Sequence, residues 1–131
     1  MKKEELITIP VSFYRNMKSS VVVPVTIGLV LDAIRGSFYE TQVKTIRQLK
    51  AQGKQEEADE VKENLHAVTF CATFKNRRIS SLYDKYNQLM VIDIDKLQPE
   101  EMERVKDYLE ECSLVGSYWM SPSGTGWKGL V

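Results

Sequence analysis

Along the stretch Met90-Val91-Ile92-Asp93-Ile94-Asp95, successive side chains are expected to alternate between the two faces of a β-strand. Its even-numbered apolar side chains face one way, and we expect a helix to cover them. Asp93 and Asp95 project together from the opposite face, roughly 7 Å apart along the backbone. The sequence thus predicts a strand that is covered on one side and carries a carboxylate pair on the other.

The carboxylate pair, Asp93 and Asp95, is a candidate metal site. Two carboxylates at this spacing repel each other and are hard to bury without a compensating charge. Mg²⁺ and Mn²⁺ prefer oxygen ligands and often bridge carboxylates to substrate phosphates. Two such ions can activate a 3′-hydroxyl and stabilise a pyrophosphate leaving group. Asp-x-Asp also occurs where one residue caps the next helix or pairs with a lysine, so the motif alone does not separate these readings.

The second informative segment is Ser121-Pro122-Ser123-Gly124-Thr125-Gly126-Trp127-Lys128, a short turn with two glycines followed by a basic residue. Backbone N–H groups exposed at the glycines can cradle a phosphate, with further donors from the serine hydroxyls and from Lys128. The Walker pattern Gly-x-x-x-x-Gly-Lys-[Ser/Thr] is absent. A hairpin turn that needs glycine at positive φ explains the segment better when it is taken alone.

The predicted order of elements brings these two segments together. From Gln88 onward the patterns predict a strand, a helix that begins at Pro99, a second strand, the turn and a final strand. This is the order of the first half of a ferredoxin-like or RNA-recognition-type sheet, in which the first and third strands are adjacent and antiparallel. We therefore expect Asp93 and Asp95 to lie beside Lys128.

The N-terminal half is predicted to be mainly helical, which makes the chain an α+β domain. Thr26 is a suitable N-cap and Gly36 a suitable stop for the first long helix. Pro10 and Pro24 favour edge or irregular positions for the two strands before it, because proline cannot donate to the ladder. The other predicted elements are strands over residues 7–13 and 21–25, helices over 38–52 and 54–65, a strand over 67–74, a short helix over 80–86 and a strand over 113–120.

The composition is that of a soluble cytoplasmic protein. The chain has 131 residues, of which 43% are hydrophobic and 27% charged, and its formal net charge is zero. This size and balance fit a single domain over residues 1–131. No apolar run is long enough to cross a bilayer. Cys71 and Cys112 are far apart in sequence, so a redox or metal role for them is not favoured.

Two groups of basic residues are candidates for phosphate contacts. In the run Lys75-Asn76-Arg77-Arg78, the three charged residues Lys75, Arg77 and Arg78 could grip a nucleic-acid backbone, although a solvated loop explains the run about as well. A second group recurs at helical spacing and could line a phosphate-facing edge, but a solubilising surface is the better explanation from sequence. This second group comprises Lys44, Arg47, Lys50 and Lys54.

At these residues the sequence resembles the archaeo-eukaryotic primase superfamily, and more narrowly the VirE N-terminal-domain family of primase-like modules in bacterial mobile elements. The superfamily's core has an Asp-hydrophobic-Asp strand end, a Ser-x-Gly-x-Gly-type turn leading to a basic residue, and then a further acidic residue. The resemblance rests on residues 65–74, 89–97 and 121–128, and with the preceding helices it covers the chain from Val11 onward.

The resemblance implies a nucleotidyltransferase that uses Mg²⁺ or Mn²⁺ in DNA replication of a mobile element. Asp93 and Asp95 would be the catalytic metal ligands. Lys128 stands where many primases have histidine, and it keeps the charge but not the titration near neutrality. DNA and nucleoside triphosphates are the implied partners, together with a helicase-type ATPase domain in the full-length protein. The residues implied to bind nucleotide are Ser121, Ser123, Gly124, Gly126 and Lys128.

The third acidic residue of the superfamily has no place before Val131. We therefore expect an N-terminal fragment of a longer protein, with its sheet truncated after the third strand and without enzymatic activity by itself. Two functions stay open from the sequence. One is a metal-dependent nucleotide-transfer module, and the other is a non-catalytic nucleic-acid-binding or docking module that retains the primase-like fold.

Overall fold

The computed structural model describes residues 2–76, 78–79, 81 and 83–131. This part of the chain has an α+β fold, as expected, with its strands in three antiparallel sheets. The helices are α1 (Lys3–Ile7), α2 (Ile27–Arg35), α3 (Glu40–Ala51), α4 (Gln55–Glu63) and α5 (Pro99–Glu111). The strands are β1 (Pro10–Tyr14), β2 (Val23–Thr26), β3 (Ala67–Thr69), β4 (Ala72–Phe74), β5 (Tyr83–Tyr86), β6 (Val91–Ile94), β7 (Ser117–Met120) and β8 (Trp127–Leu130).

The first sheet has the strand order β2-β1-β3. Its central strand, β1, buries Val11 and Tyr14 completely. The prediction of an edge position is confirmed for β2, which contains Pro24, and is wrong for β1. Pro10 is tolerated because it is the first residue of β1, a position where proline is found even in well-paired strands.

The single strand predicted over residues 67–74 is wrong, because the chain breaks into β3 and β4, which belong to different sheets. Asn87 stabilises the break: its side-chain amide donates to Phe70 O over 2.6 Å, and its backbone N–H donates to Cys71 O over 3.0 Å. The Phe70 ring packs against Trp119 of the third sheet, with 5.5 Å between ring centroids. The break therefore directs an aromatic side chain toward the other half of the molecule.

The short helix predicted over residues 80–86 is also wrong, since Tyr83–Tyr86 forms β5. This strand pairs antiparallel with β4, with Ala72 opposite Tyr86. Tyrosine favours the extended backbone of a paired strand, and the partner strand outweighs any local helical tendency. Ser80 and Leu82, which the predicted helix included, lie outside the described residues.

The third sheet has the order β6-β8-β7, which confirms the predicted antiparallel adjacency of the first and third strands in this region. Helix α5 covers one of its faces: the indole N–H of Trp127 donates to Met102 O of α5 over 2.9 Å. Ile94 lies opposite Trp127 and so shares that face, as expected. Met90 does not, because it precedes the strand and is 62% exposed.

The same sheet is tied to α5 by a polar contact. The hydroxyl of Tyr118 on β7 donates to the Glu110 carboxylate of α5. Loss of this hydrogen bond on ionisation raises the pKa of Tyr118 to about 12. Cys112 is the C-cap of that helix and is exposed.

The helices of the N-terminal half follow their sequence signals. Thr26 caps α2 by accepting a hydrogen bond from the backbone N–H of Leu29, and Gly36 is the C-cap, as predicted. At the start of α3, the Tyr39 hydroxyl hydrogen-bonds His66 Nδ1 over 2.8 Å, which joins this helix to the residue before β3. Burial, together with the positive charge of Arg15, lowers the pKa of His66.

The hydrophobic core draws on both halves of the chain. Two of its buried residues, Leu89 and Leu130, come from the C-terminal half, and Trp119 packs against them from β7. The other buried members of the cluster are Leu6, Val11, Ile27, Val30 and Leu31. None of the helices in the described part of the chain has the length and apolar character needed to span a membrane.

Candidate functional site

The register of the third sheet places the first acidic residue beside the basic one. Asp93 on β6 lies opposite Lys128 on β8, and Lys128 Nζ is 2.8 Å from Asp93 Oδ1. The two side chains are 49% and 27% exposed. Trp119 lies opposite Lys128 on the other side, so the three side chains form a row across one face. Asp93 therefore pairs with a lysine, which is one of the alternatives that the sequence leaves open for the Asp-x-Asp motif.

Asp95 follows the end of β6 and lies against the glycine turn, defined as residues 121–126. A β-carbon on Gly126 would be 2.2 Å from Ile94 O and 3.1 Å from Asp95 Oδ1. Only glycine therefore allows the turn to approach the end of β6 so closely. A hydrogen bond of 2.9 Å from Leu97 N to Thr125 O ties the two segments together. The expected position beside Lys128 is confirmed for Asp93, whereas Asp95 lies beside Gly126 of the turn.

The glycine turn is closed by its own backbone. Ser121 N donates to Gly126 O over 2.9 Å, and Gly124 N donates to Ser121 O over 3.0 Å. Gly124 has φ of +78°, which glycine adopts without strain. The hydroxyls form a chain: Ser121 Oγ lies 3.0 Å from Ser123 Oγ, which lies 3.3 Å from Thr125 Oγ1. The turn thus contains three adjacent hydroxyl groups, of which that of Ser121 belongs to a buried residue.

Helix α3 supplies two positive charges to the same turn. Arg47 donates to the carbonyl oxygens of Ser121 and Pro122, both over 3.3 Å. Lys50 Nζ lies 3.5 Å from Thr125 Oγ1. The helical spacing of these basic residues is visible in the sequence, where a solubilising surface is the better explanation for it. About 75 residues separate the partners, so no local pattern indicates the contact.

The other basic run has different partners. Lys75 lies 3.9 Å from Asp84, and both side chains are largely exposed. Arg78 lies over the Tyr14 ring, 4.7 Å from its centroid, and donates to Met17 O. These contacts involve neither the carboxylate pair nor the glycine turn. Arg77 lies outside the described residues.

Comparison with protein families gives one match. The model of the BT4734-like, N-terminal domain family matches residues 60–131, which is more than half of the chain. The chain belongs to this family. The matched segment of the BT4734-like domain includes the carboxylate pair, the glycine turn and Lys128, and it excludes α3. Neither curated proteins nor solved structures gave a match to this chain.

The donor set of this BT4734-like domain fits one kind of metal site. Within the ranges that the structure describes, no three His, Cys, Asp or Glu side chains are grouped so that they could hold an ion. Mg²⁺ usually keeps several waters and binds through one or two carboxylates together with substrate phosphates. Asp93 and Asp95 therefore fit an ion that is shared with a phosphorylated ligand, and they do not fit an all-protein cage.

Two cavities of the structure lie away from the candidate site. A cavity of about 190 Å³ lies between α2 and β7, where it is lined by Leu31, Ile34 and Trp119 among others. Another, of about 380 Å³, is lined by residues 18–20, Arg78 and Ile79. Neither cavity includes the carboxylate pair or the glycine turn.

Proposed function

We propose that this BT4734-like domain is a primase-like nucleotidyltransferase module, related to VirE N-terminal domains, that acts in DNA replication of a mobile element. The pairing of β6 with β8 is the observation that best supports this proposal. It sets Asp93 opposite Lys128 and brings Asp95 against the glycine turn. Carboxylates, a cation and a hydroxyl-rich glycine turn on one surface are the groups that a metal-bound nucleoside triphosphate requires.

In this proposal, the metal ion and the phosphates are bound by different residues of the site. Asp93 and Asp95 would hold Mg²⁺ or Mn²⁺, which supplies positive charge at the phosphates when bound. The turn that contains Ser121, Ser123, Gly124 and Gly126 would bind phosphate oxygens through the Ser123 hydroxyl and through the backbone N–H groups that make no hydrogen bond within the turn. The Lys128 side chain is partly exposed, so its ammonium group could release Asp93 and bind a phosphate oxygen instead. DNA is the proposed second substrate, and a helicase-type ATPase domain is the proposed neighbour in a longer protein.

A non-catalytic nucleic-acid-binding or docking module is the second candidate. It is favoured by the ion pair between Asp93 and Lys128, which neutralises one carboxylate of the pair. The described residues also provide no third acidic ligand beside the pair. In this case the domain would bind DNA through its basic residues and would not need a divalent ion.

Calorimetric titration of Mn²⁺ and a deoxynucleoside triphosphate tests the first proposal. We expect binding that requires the metal and is lost in the double variant Asp93→Asn/Asp95→Asn. Asp32→Asn/Asp59→Asn is the matched control, since it removes the same charge from exposed positions on α2 and α4. Folding of each variant is checked by thermal unfolding.

Three outcomes separate the two candidates. Metal-dependent binding that only the Asp93/Asp95 variant loses supports the nucleotidyltransferase. Salt-sensitive DNA binding, without any nucleotide binding that depends on Mn²⁺, supports the docking module. Equal loss in both double variants would show that the effect follows overall charge, and it would remove the support for a site at the carboxylate pair.

A further inference from the structure

The three cations at successive positions along α3 have different partners. Lys44 is neutralised by Glu40 one turn earlier, with 2.7 Å between Nζ and Oε1. Arg47 and Lys50 hydrogen-bond the neutral carbonyl and hydroxyl oxygens of the glycine turn. Among the residues that the structure describes, neither forms an ion pair with a carboxylate. Two positive charges are thus held at the turn, and neither has an ion-pair partner within the described part of the chain.

The donors around these two charges are only partly used. A guanidinium group has five N–H donors, and Arg47 uses two of them in 3.3 Å bonds that are long for a charged donor. In the turn, the backbone N–H groups of Ser123 and Thr125 make no hydrogen bond to the described residues. Lys50 completes the hydroxyl chain at Thr125. Cations and free donors on one surface are the requirements for binding an anion with several oxygens.

We infer that Arg47 and Lys50 bind the polyphosphate tail of the nucleoside triphosphate, between α3 and the glycine turn. The ligand's identity rests on the proposed function, whereas the anion site rests on the contacts of α3. The tail lies against Gly124, where a β-carbon would be 3.2 Å from Arg47 Nε, so the absence of a side chain keeps the guanidinium close to the turn. The carboxylate pair lies at the opposite end of the turn, beside Gly126.

The inference is tested with inorganic tripolyphosphate in the absence of metal, because this probe has the charge of the tail and lacks base and sugar. Affinity is measured by calorimetry at low salt for the wild-type chain, Arg47→Gln and Lys50→Gln. Lys44→Gln is the matched control, with the same charge change on the same helix. Glutamine at position 50 keeps a donor for Thr125 and removes only the charge. We expect each of the first two variants to bind about tenfold more weakly, and the control to bind like wild type.

Other results overturn the inference. One is that the folded wild-type chain does not bind tripolyphosphate. The others are an equal loss of tripolyphosphate affinity in all three variants, and an unchanged affinity in Lys50→Gln. If Arg47→Gln disturbs folding, Lys50→Gln decides, since it leaves the turn's hydrogen bond in place. A Lys50→Gln variant that weakens binding of a single-stranded oligonucleotide but not of tripolyphosphate would assign these cations to a nucleic-acid backbone and also overturn the inference.

The same experiment separates this inference from the proposed function. Asp93→Asn/Asp95→Asn should bind metal-free tripolyphosphate at least as well as wild type, because two negative charges are removed near the anion. Tripolyphosphate binding that depends on Lys50, without any Mn²⁺-dependent nucleotide binding, would support the anion site and contradict the nucleotidyltransferase. Nucleotide binding that depends on the carboxylates but not on Lys50 would support the nucleotidyltransferase and contradict the anion site.

Discussion

Leu130 and Lys128 lie on the same face of β8, two residues apart, yet their surroundings are opposite. Leu130 is completely buried in the core cluster with Leu6 and Leu89. Lys128 is partly exposed and pairs with Asp93 on the neighbouring strand. One strand pair therefore has an apolar end that is buried in the core and a charged end that is partly exposed to solvent.

We therefore expect stability and ligand binding to depend on different ends of this strand pair. Burial of an aliphatic side chain is worth several kcal/mol when the surroundings are well packed. An exposed ion pair contributes about 0–1 kcal/mol, because water screens both charges and holding them together costs side-chain entropy. The apolar end should govern the free energy of unfolding, and the charged end should govern affinity for ligands.

The largest effect is expected at the apolar end. Leu130→Ala should lower the free energy of unfolding by about 2–5 kcal/mol, because it leaves a cavity in the core. Val91 is the control: it lies opposite Leu130 on β6 but is 40% exposed, so Val91→Ala should cost about 1 kcal/mol or less. Urea unfolding measures both values. Equal losses in the two variants would contradict the comparison.

An intermediate effect is expected where the glycine turn meets β6. Gly126→Ala should cost about 1–3 kcal/mol, because its β-carbon would overlap Ile94 O and force the backbone apart. Ser123→Ala, in the same turn, removes one hydroxyl without a steric clash and should cost about 1 kcal/mol or less. Thermal unfolding and tripolyphosphate binding are measured together. If Gly126→Ala proved as stable as wild type, the close approach of the turn to Asp95 would be wrong.

The smallest effect on stability is expected at the charged end. A double-mutant cycle with Asp93→Asn and Lys128→Gln should give a coupling free energy of about 0.2–1 kcal/mol. Because the pair is partly exposed, this coupling should fall further in 1 M salt, where the Debye length is about 3 Å. A coupling of several kcal/mol that resists salt would mean that the pair is structural, and Lys128 would then be unavailable to phosphates.

Local patterns were sufficient for much of the fold. Alternation over residues 90–95 and the paired glycines after Ser121 led to the adjacency of β6 and β8, which the register of Asp93 with Lys128 confirms. Thr26 and Gly36 marked the ends of α2 because capping is a property of a few neighbouring residues. The α+β class followed from these same signals.

The parts that failed depend on partners distant in sequence. The break between β3 and β4 is held by Asn87, which no pattern around residue 70 reveals. Residues 83–86 are extended because β4 lies beside them, and tertiary pairing overrides weak local preference. The contact of Arg47 and Lys50 with the glycine turn joins two halves of the chain, so the basic spacing on α3 showed the charges but not what they face.

The composition of the core has a consequence for how this domain can be divided. The family match begins at residue 60, but the residues that cover Leu89 and Leu130 come largely from the segment before it, including Leu6, Val11 and Ile27. A polypeptide that begins at residue 60 would keep the carboxylates and the glycine turn. It would lose most of the side chains that form the core with Leu89 and Leu130, and it would also lose Arg47 and Lys50 of α3. The segment that matches the family model is therefore smaller than the part of the chain that builds the hydrophobic core.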